Sequence, residues 1–275
     1  MSTRDIAEIQ RVILEATQRI HDLCERNGLR YYLIGGGLIG AVRHGGPIPW
    51  DDDIDIGMPR PDYEKFLSIS ETIGDPYLVS TFNNDPTYIY GFAKCYDLRT
   101  TVTEDLAVRF TRGVWVDIFP IDGTFDNVIL RKMHVFASRG FKAILASRCG
   151  AYVRHRQSWR GMLLRRAAAL GTMALSRRAL HSLMHSTLGI KRFEESKYAA
   201  NLLGRWGSRE ICRTAVFDQQ VEVTFATHRF MIPIGYDEYL TGVYGNYMQL
   251  PAEDLRVPDH STSSISLTRP FPRAQ

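Results

Sequence analysis

The sequence predicts an α+β fold, and three observations carry that expectation. Strand-like and helical runs alternate from the N-terminus to about residue 124, a long helical stretch follows, and strand character returns near residue 214. With 275 residues and 44% hydrophobic content the chain can bury a full core. No run of about 18 uncharged apolar residues occurs and the N-terminus is charged, so neither a spanning helix nor a signal peptide is expected. The four cysteines, Cys24, Cys95, Cys149 and Cys212, lie far apart and form no CxxC pair. That spacing points away from a zinc site or a disulfide framework and fits a reducing cytoplasm.

Residues 3–27 read as an amphipathic helix, with Ile6, Ile9, Val12, Ile13, Ala16, Ile20 and Leu23 at helical spacing, a Ser2 or Thr3 cap, and Gly28 beyond its end. "RYYLI" (30–34) is strand-like, and "LIGAVRH" (38–44) makes a short helix that ends at Gly45-Gly46-Pro47. "DIDIGM" reads as a second strand, and a helix over 62–73 follows, introduced by Pro59 and Pro61. Further strands are expected near 77–82, 89–96, 100–104 and 114–119, then near 214–217 and 223–232. A helix near 236–244 and a poorly ordered tail over 261–275 complete the chain.

The net charge of +4 conceals an asymmetry. Residues 127–193 carry 14 Lys or Arg and no Asp or Glu, leaving 20 basic against 30 acidic residues elsewhere. Segregated charge marks a surface that meets something anionic. "YVRHRQSWRGMLLRRAAALGTMALSRRALHSLM" (152–184) alternates Arg or His with Leu, Met and Trp, as expected of a helix lying in an anionic membrane interface, with Arg165 and Arg166 among the contacts. The alternative is a helical subdomain whose arginines are solvated or face an acidic partner. No nucleic acid is expected, because it would not explain the apolar content.

The densest chemistry lies in "GGGLIGAVRHGGPIPWDDDIDIGM" (35–58). Gly35, Gly36, Gly37 and Gly40 satisfy G-x-G-x-x-G, yet a dinucleotide-binding crossover needs roughly thirty residues with a substantial helix, and here glycine and proline stop the helix early. Asp51, Asp53 and Asp55 resemble the start of a calcium loop, but the glycine required at its sixth position comes one residue late, as Gly57. A third possibility, a solvated acidic loop, sits badly between Trp50 and Ile54. Strand alternation instead projects Asp53 and Asp55 from one face while Ile54 and Ile56 enter the core. Two carboxylates about 4 Å apart repel by roughly 4 kcal/mol at an effective dielectric near 20, so such a pair calls for a divalent cation. Hard oxygen donors suit Mg²⁺ or Mn²⁺. The backbone N–H groups of Gly35, Gly36 and Gly37 would face phosphate oxygens nearby.

This stretch, with "FAKCYDLRTTVTE" (92–104), "GVWVDIFPIDG" (113–123) and "IPIGYDEYLTGVYGNYMQLPAEDLRVPDH" (232–260), resembles the LicD-type phosphotransferases, relatives of the polymerase-β-like nucleotidyltransferases that include the fukutin-related proteins. The resemblance implies a nucleotidyltransferase-like mixed sheet core flanked by helices, over residues 1–126, with the C-terminal part of the domain at 194–260; the basic region 127–193 lies outside the resembling stretches and reads as a helical insertion. Asn246 departs from the pattern, since family members more often carry Asp there.

Phosphoryl transfer of this kind generally needs a third carboxylate. In "VWVDIF" alternation places Asp117 between Trp115 and Phe119, where an unpaired charge would be costly, so Asp117 should have a strong partner. The resemblance implies the same position; the alternatives are a structural Asp bonded to backbone amides, or Asp122 in its place. Lys94 shares a strand face with Tyr90, Phe92 and Tyr96 and could meet a phosphate or nucleobase, or snorkel to solvent. Arg43 and His44, at the end of the short helix, could reach nucleotide phosphates. Asp51 and Asp52 are expected to orient the acidic loop, and His260 is suggested by the resemblance alone.

What the resemblance implies is transfer of a phospho-alcohol, most simply phosphocholine from CDP-choline, to a cell-surface glycan that could be lipid-linked. The rival chemistry is attack on the α-phosphate of a nucleoside triphosphate, and the rival without chemistry is a membrane-associated glycan-binding scaffold. Such an enzyme would work in the cytoplasm, at the inner face of the membrane.

Overall fold

A computed structural model describes residues 3–152, 163, 167, 170–258, 260 and 262–271. Helix α1 (Thr3–Asn27) buries Ile9, Val12, Ile13, Ala16, Ile20 and Leu23, the stripe its spacing prescribes, and Gly28 ends it with a left-handed φ of 62°. Strand β1 (Tyr32–Ile34) runs into a helical segment made of α2 (Gly35–Ile39) and a π-helical turn (Gly40–His44), which Gly45 closes. Strand β2 (Asp55–Pro59) and helix α3 (Arg60–Ile69) follow, then β3 (Tyr77–Ser80), β4 (Ala93–Asp105) and β5 (Arg109–Thr124).

The sheet is mixed. Its path is β1-β2-β5-β4-β10, where β10 is Thr262–Ser266; β3 also pairs with β4, and β6 (Tyr198–Ala200) links β5 to β7 (Cys212–Arg213). Among the described residues only β2 and β5 run parallel to one another, whereas β1 and β2 are antiparallel, which removes the Rossmann crossover. A helical segment of ten residues cannot cross a sheet to return in parallel. The α+β class with a mixed sheet flanked by helices is therefore what this chain forms.

Four expectations need correction. The runs near 89–96 and 100–104 are one strand, β4, whose ladder with β5 slips between Asp97 and Val102; this irregularity is what looked like a break. "TAVF" (214–217) is a 3₁₀ turn that buries Val216 and Phe217 and not a strand, because so short an apolar run fits either conformation. The run at 223–232 is a hairpin of β8 (Gln220–Phe225) and β9 (His228–Pro233), reversed at Ala226 with φ 54°. Finally, the expected tail contains β10, which pairs with Glu104 to Thr101 of β4.

The basic region forms helix α4 (Val128–Cys149) and helix α5 (Arg177–Leu188), and helix α6 (Tyr236–Tyr244) lies near the C-terminus. The segment 152–184 is not one helix, since the chain turns at 172–175 before Ser176 caps α5; Arg165 and Arg166 lie outside the described residues. Several cations expected at the surface are used internally. Lys142 donates to the carbonyls of Leu203 and Gly204, and Arg148 to those of Thr172 and Leu175. Among the described residues no helix is long and apolar enough to cross a membrane.

Candidate active site

Sheet register builds the site. Asp55 on β2 stands opposite Asp117 on β5, and Asp117 stands opposite Lys94 on β4, so three neighbouring strands present these side chains from one rung. Asp53 joins them from the residues just before β2. One carboxylate oxygen from each of Asp53, Asp55 and Asp117 lies within 4.8 Å of the others.

The predicted partner of Asp117 is Lys94. Its ammonium lies 2.8 Å from Asp117 Oδ1 and is only 1% exposed, so it does not snorkel. Aromatic rings enclose it, with the centroids of Tyr90 and Trp115 each 4.3 Å from Nζ. The contact lacks the direction of a hydrogen bond, and Asp117 Oδ1 accepts none. The alternative candidate, Asp122, is committed elsewhere: Arg60 holds it in a bidentate pair at 2.6 and 2.7 Å.

His260 comes to the cluster from the far end of the chain. Nδ1 lies 3.2 Å from Asp52 Oδ1, Nε2 lies 3.7 Å from Asp53 Oδ2, and the ring stands edge-on to Trp115. Burial works against its charge, but Asp53 and Asp52 prevail and push its pKa up to about 10. The resulting stability is complete below about 6.5 and drains away as pH rises through 10. His260→Gln is therefore expected to cost about 2 kcal/mol near neutrality, and the gap to the parent protein should close at alkaline pH. Urea denaturation across that range checks it; a gap independent of pH would contradict a charged His260.

The glycines make room for acids. A Cβ on Gly35 would sit 2.7 Å from Asp55 Oδ2, and one on Gly36 would sit 2.3 Å from Asp51 Oδ2; Gly35 also has a φ of +57°. Gly37 is buried against Ile54. Arg43 is not brought to the carboxylates as a donor to them: its Nη1 goes to the carbonyls of Tyr247 and Gln249, and His44 packs edge-on to Trp50. Asn246 lies in that same loop, its amide 3.5 Å from Gln249 Oε1.

Burial raises the pKa of Asp53 to about 6 and that of Asp55 well above the usual carboxylate range, with neighbouring carboxylates adding to both. Three clustered acids thus exceed the charge that Lys94 and His260 offer, and one buried oxygen is unsatisfied. Hard oxygen donors in excess negative charge fit a divalent cation. Two further titratable groups were not legible in the sequence. Lys142 is half-buried within electrostatic reach of the buried Glu210, and burial raises the pKa of Glu210 to about 7. Neither carries a local motif.

A mixed sheet presenting a cluster of carboxylates, Asp117 buried and Asp53 and Asp55 half-buried, forms the core of a domain of the nucleotidyltransferase class. The family model for the LicD/FKTN/FKRP nucleotidyltransferase domain matches residues 28–142. The lipopolysaccharide cholinephosphotransferase LicD of Haemophilus influenzae is 30% identical over 268 residues, covering 94% of this chain and 97% of that protein. The ribitol 5-phosphate transferase FKRP of Homo sapiens is 46% identical over 48 residues, 18% of this chain and 10% of that protein. The chain belongs to the LicD family and is a phosphotransferase of the LicD type.

Proposed function

We propose that this protein transfers a phospho-alcohol group, most simply phosphocholine from CDP-choline, to a hydroxyl of a cell-surface glycan such as lipopolysaccharide, capsule or teichoic acid, releasing CMP. The observation that carries the reading is the meeting of Asp53, Asp55 and Asp117 at one place on the sheet. Choline is favoured over ribitol because similarity to the choline-transferring relative runs along nearly the whole chain, whereas similarity to the ribitol-transferring one is confined to 48 residues.

Asp53, Asp55 and Asp117 would hold the divalent ion. Bound there, Mg²⁺ or Mn²⁺ supplies neutralising charge to the two phosphates of the donor. The glycan hydroxyl oxygen attacks the phosphorus bearing the alcohol, the bond from that phosphorus to the CMP oxygen breaks, and a phosphodiester forms. The hydroxyl proton passes to the Asp117 carboxylate, which Lys94 holds in place. His260 holds Asp52 and Asp53 in the same way.

The products decide the reading. With CDP-choline, Mg²⁺ and choline-free lipopolysaccharide, CMP is expected to appear one for one with a new phosphodiester seen by phosphorus NMR. Pyrophosphate released from CTP would establish nucleotidyl transfer instead.

The reading includes work on the cytoplasmic side of a membrane that holds a lipid-linked acceptor. Helix α4 supports it: Ile129, Met133 and Phe136 stand exposed at helical spacing, Phe136 by 80%, beside the exposed Lys132. The protein should float with vesicles containing anionic lipid and remain behind with neutral ones, and Phe136→Asp should weaken that binding.

A further inference from the structure

A cleft of about 440 Å³ opens between α3 and α5, at the edge of the sheet beside the site and not assigned by anything above. Helix α5 gives it one complete face: Arg178, His181, Ser182, His185, Ser186 and Gly189 recur at helical spacing and line the cleft. The opposite side of the helix, Leu180, Met184 and Leu188, is buried in the core. Tyr63 and Phe92 supply aromatic surface across the cleft.

Part of the polar surface on that face makes no hydrogen bond among the described residues. A serine within a helix commonly bonds back to the carbonyl four residues earlier, as Ser138 and Ser147 do in α4 and as Thr187 does in α5. Ser182 and Ser186 make no such bond among the described residues. Nor does His181, whose ring stacks on Phe82 at 4.6 Å and approaches His185 at 4.3 Å. Burial, with Arg60 close by, pushes the pKa of His181 down to about 3 and that of His185 down to about 4, so both imidazoles are neutral hydrogen-bonding groups. His185 is anchored, with Nε2 2.8 Å from the carbonyl of Gly91 and Nδ1 3.1 Å from Arg60.

Charge in the cleft cancels. Arg60 is neutralised by Asp122, and Glu64 accompanies Arg178 in the lining. A pyrophosphate would need net positive charge. Neutral hydroxyls and the His181 imidazole beside aromatic rings suit a saccharide, which has hydroxyl edges and apolar C–H faces. Phe92 links the cleft to the chemistry: it packs on Phe119 at 4.1 Å, and its centroid lies 5.7 Å from Lys94 Nζ.

We infer that this α3–α5 cleft binds the glycan acceptor, seating a sugar of the chain next to the residue that receives the phospho-alcohol. Naming that glycan as the acceptor rests on the transferase reading; glycan binding in the cleft does not.

Titration calorimetry with choline-free, O-deacylated lipopolysaccharide in EDTA tests the cleft, and CDP-choline with Mg²⁺ is titrated in parallel. Ser182→Trp and Ser186→Trp fill the cleft from exposed helix positions, and circular dichroism verifies their fold. Each is expected to bind the glycan about tenfold or more weakly while binding CDP-choline like the parent. Asp53→Asn should show the reverse. Glycan binding unchanged in both tryptophan variants, absent in the parent, or lost together with CDP-choline binding would overturn the inference. If the parent produces no CMP while the tryptophan variants still lose glycan binding, the cleft stands and the transferase reading falls.

Discussion

Asp53→Asn is expected to lower transfer about a thousandfold, the equivalent of ~4 kcal/mol of lost transition-state stabilisation, while making the metal-free protein more stable. The two effects have one cause. Asp53 is half-buried beside Asp55 and Asp117, and desolvation together with the carboxylates of Asp117 and Asp52 raises its pKa from 3.8 to about 6. A carboxyl group whose pKa is raised by folding holds its proton longer in the folded state. Its contribution is therefore most favourable below 3.8, and stability is lost as pH climbs from there to about 6. Asn carries no charge to desolvate and escapes that loss. The gain should approach about 2 kcal/mol near pH 8 and vanish in acid. Calorimetric melting in EDTA measures it. Added Mg²⁺ should then reverse the order, stabilising the parent and leaving the variant unmoved. An Asp53→Asn protein that melts lower without metal, or that still turns over, would show that these acids are not assembled to hold a cation.

Lys94→Met should destabilise the protein by about 3–5 kcal/mol, because it leaves Asp117 buried with its charge less compensated. Packing alone predicts a small loss, since Met keeps most of the alkyl stem among Tyr90, Phe92 and Trp115. The second substitution separates charge from packing. Asp117→Asn added to Lys94→Met should recover most of the stability and none of the transferase activity. A double-mutant cycle by chemical denaturation reads the coupling directly. Additive losses in the two single variants would mean that the ion pair contributes nothing beyond its packing.

Much of this was legible locally. The helical stripe of α1 and the alternation in "DIDI" follow from periods of 3.6 and 2 alone. Asp117 between Trp115 and Phe119 demanded a partner on grounds of desolvation, and Lys94 among aromatics was the mirror image of that demand. That each answers the other depends on the ladder between β4 and β5, which pairs residues 23 positions apart. The same limit explains the misread elements. The slip between Asp97 and Val102 and the 3₁₀ turn at 214–217 are decided by neighbours distant in the chain. The glycines have a use that no local signal announced: the space they leave is filled by Asp55 and Asp51.

By itself, the sequence determined the class of fold and the placing of Asp53 and Asp55 together in one acidic segment, because periodicity, charge density and glycine placement act over a few residues. Tertiary structure alone decided which acid Lys94 restrains, how His260 reaches Asp52 and Asp53 from some two hundred residues away, and that α5 turns a polar face onto a cleft. Those are consequences of strand register and helix packing, which bring together groups with no local signal in common.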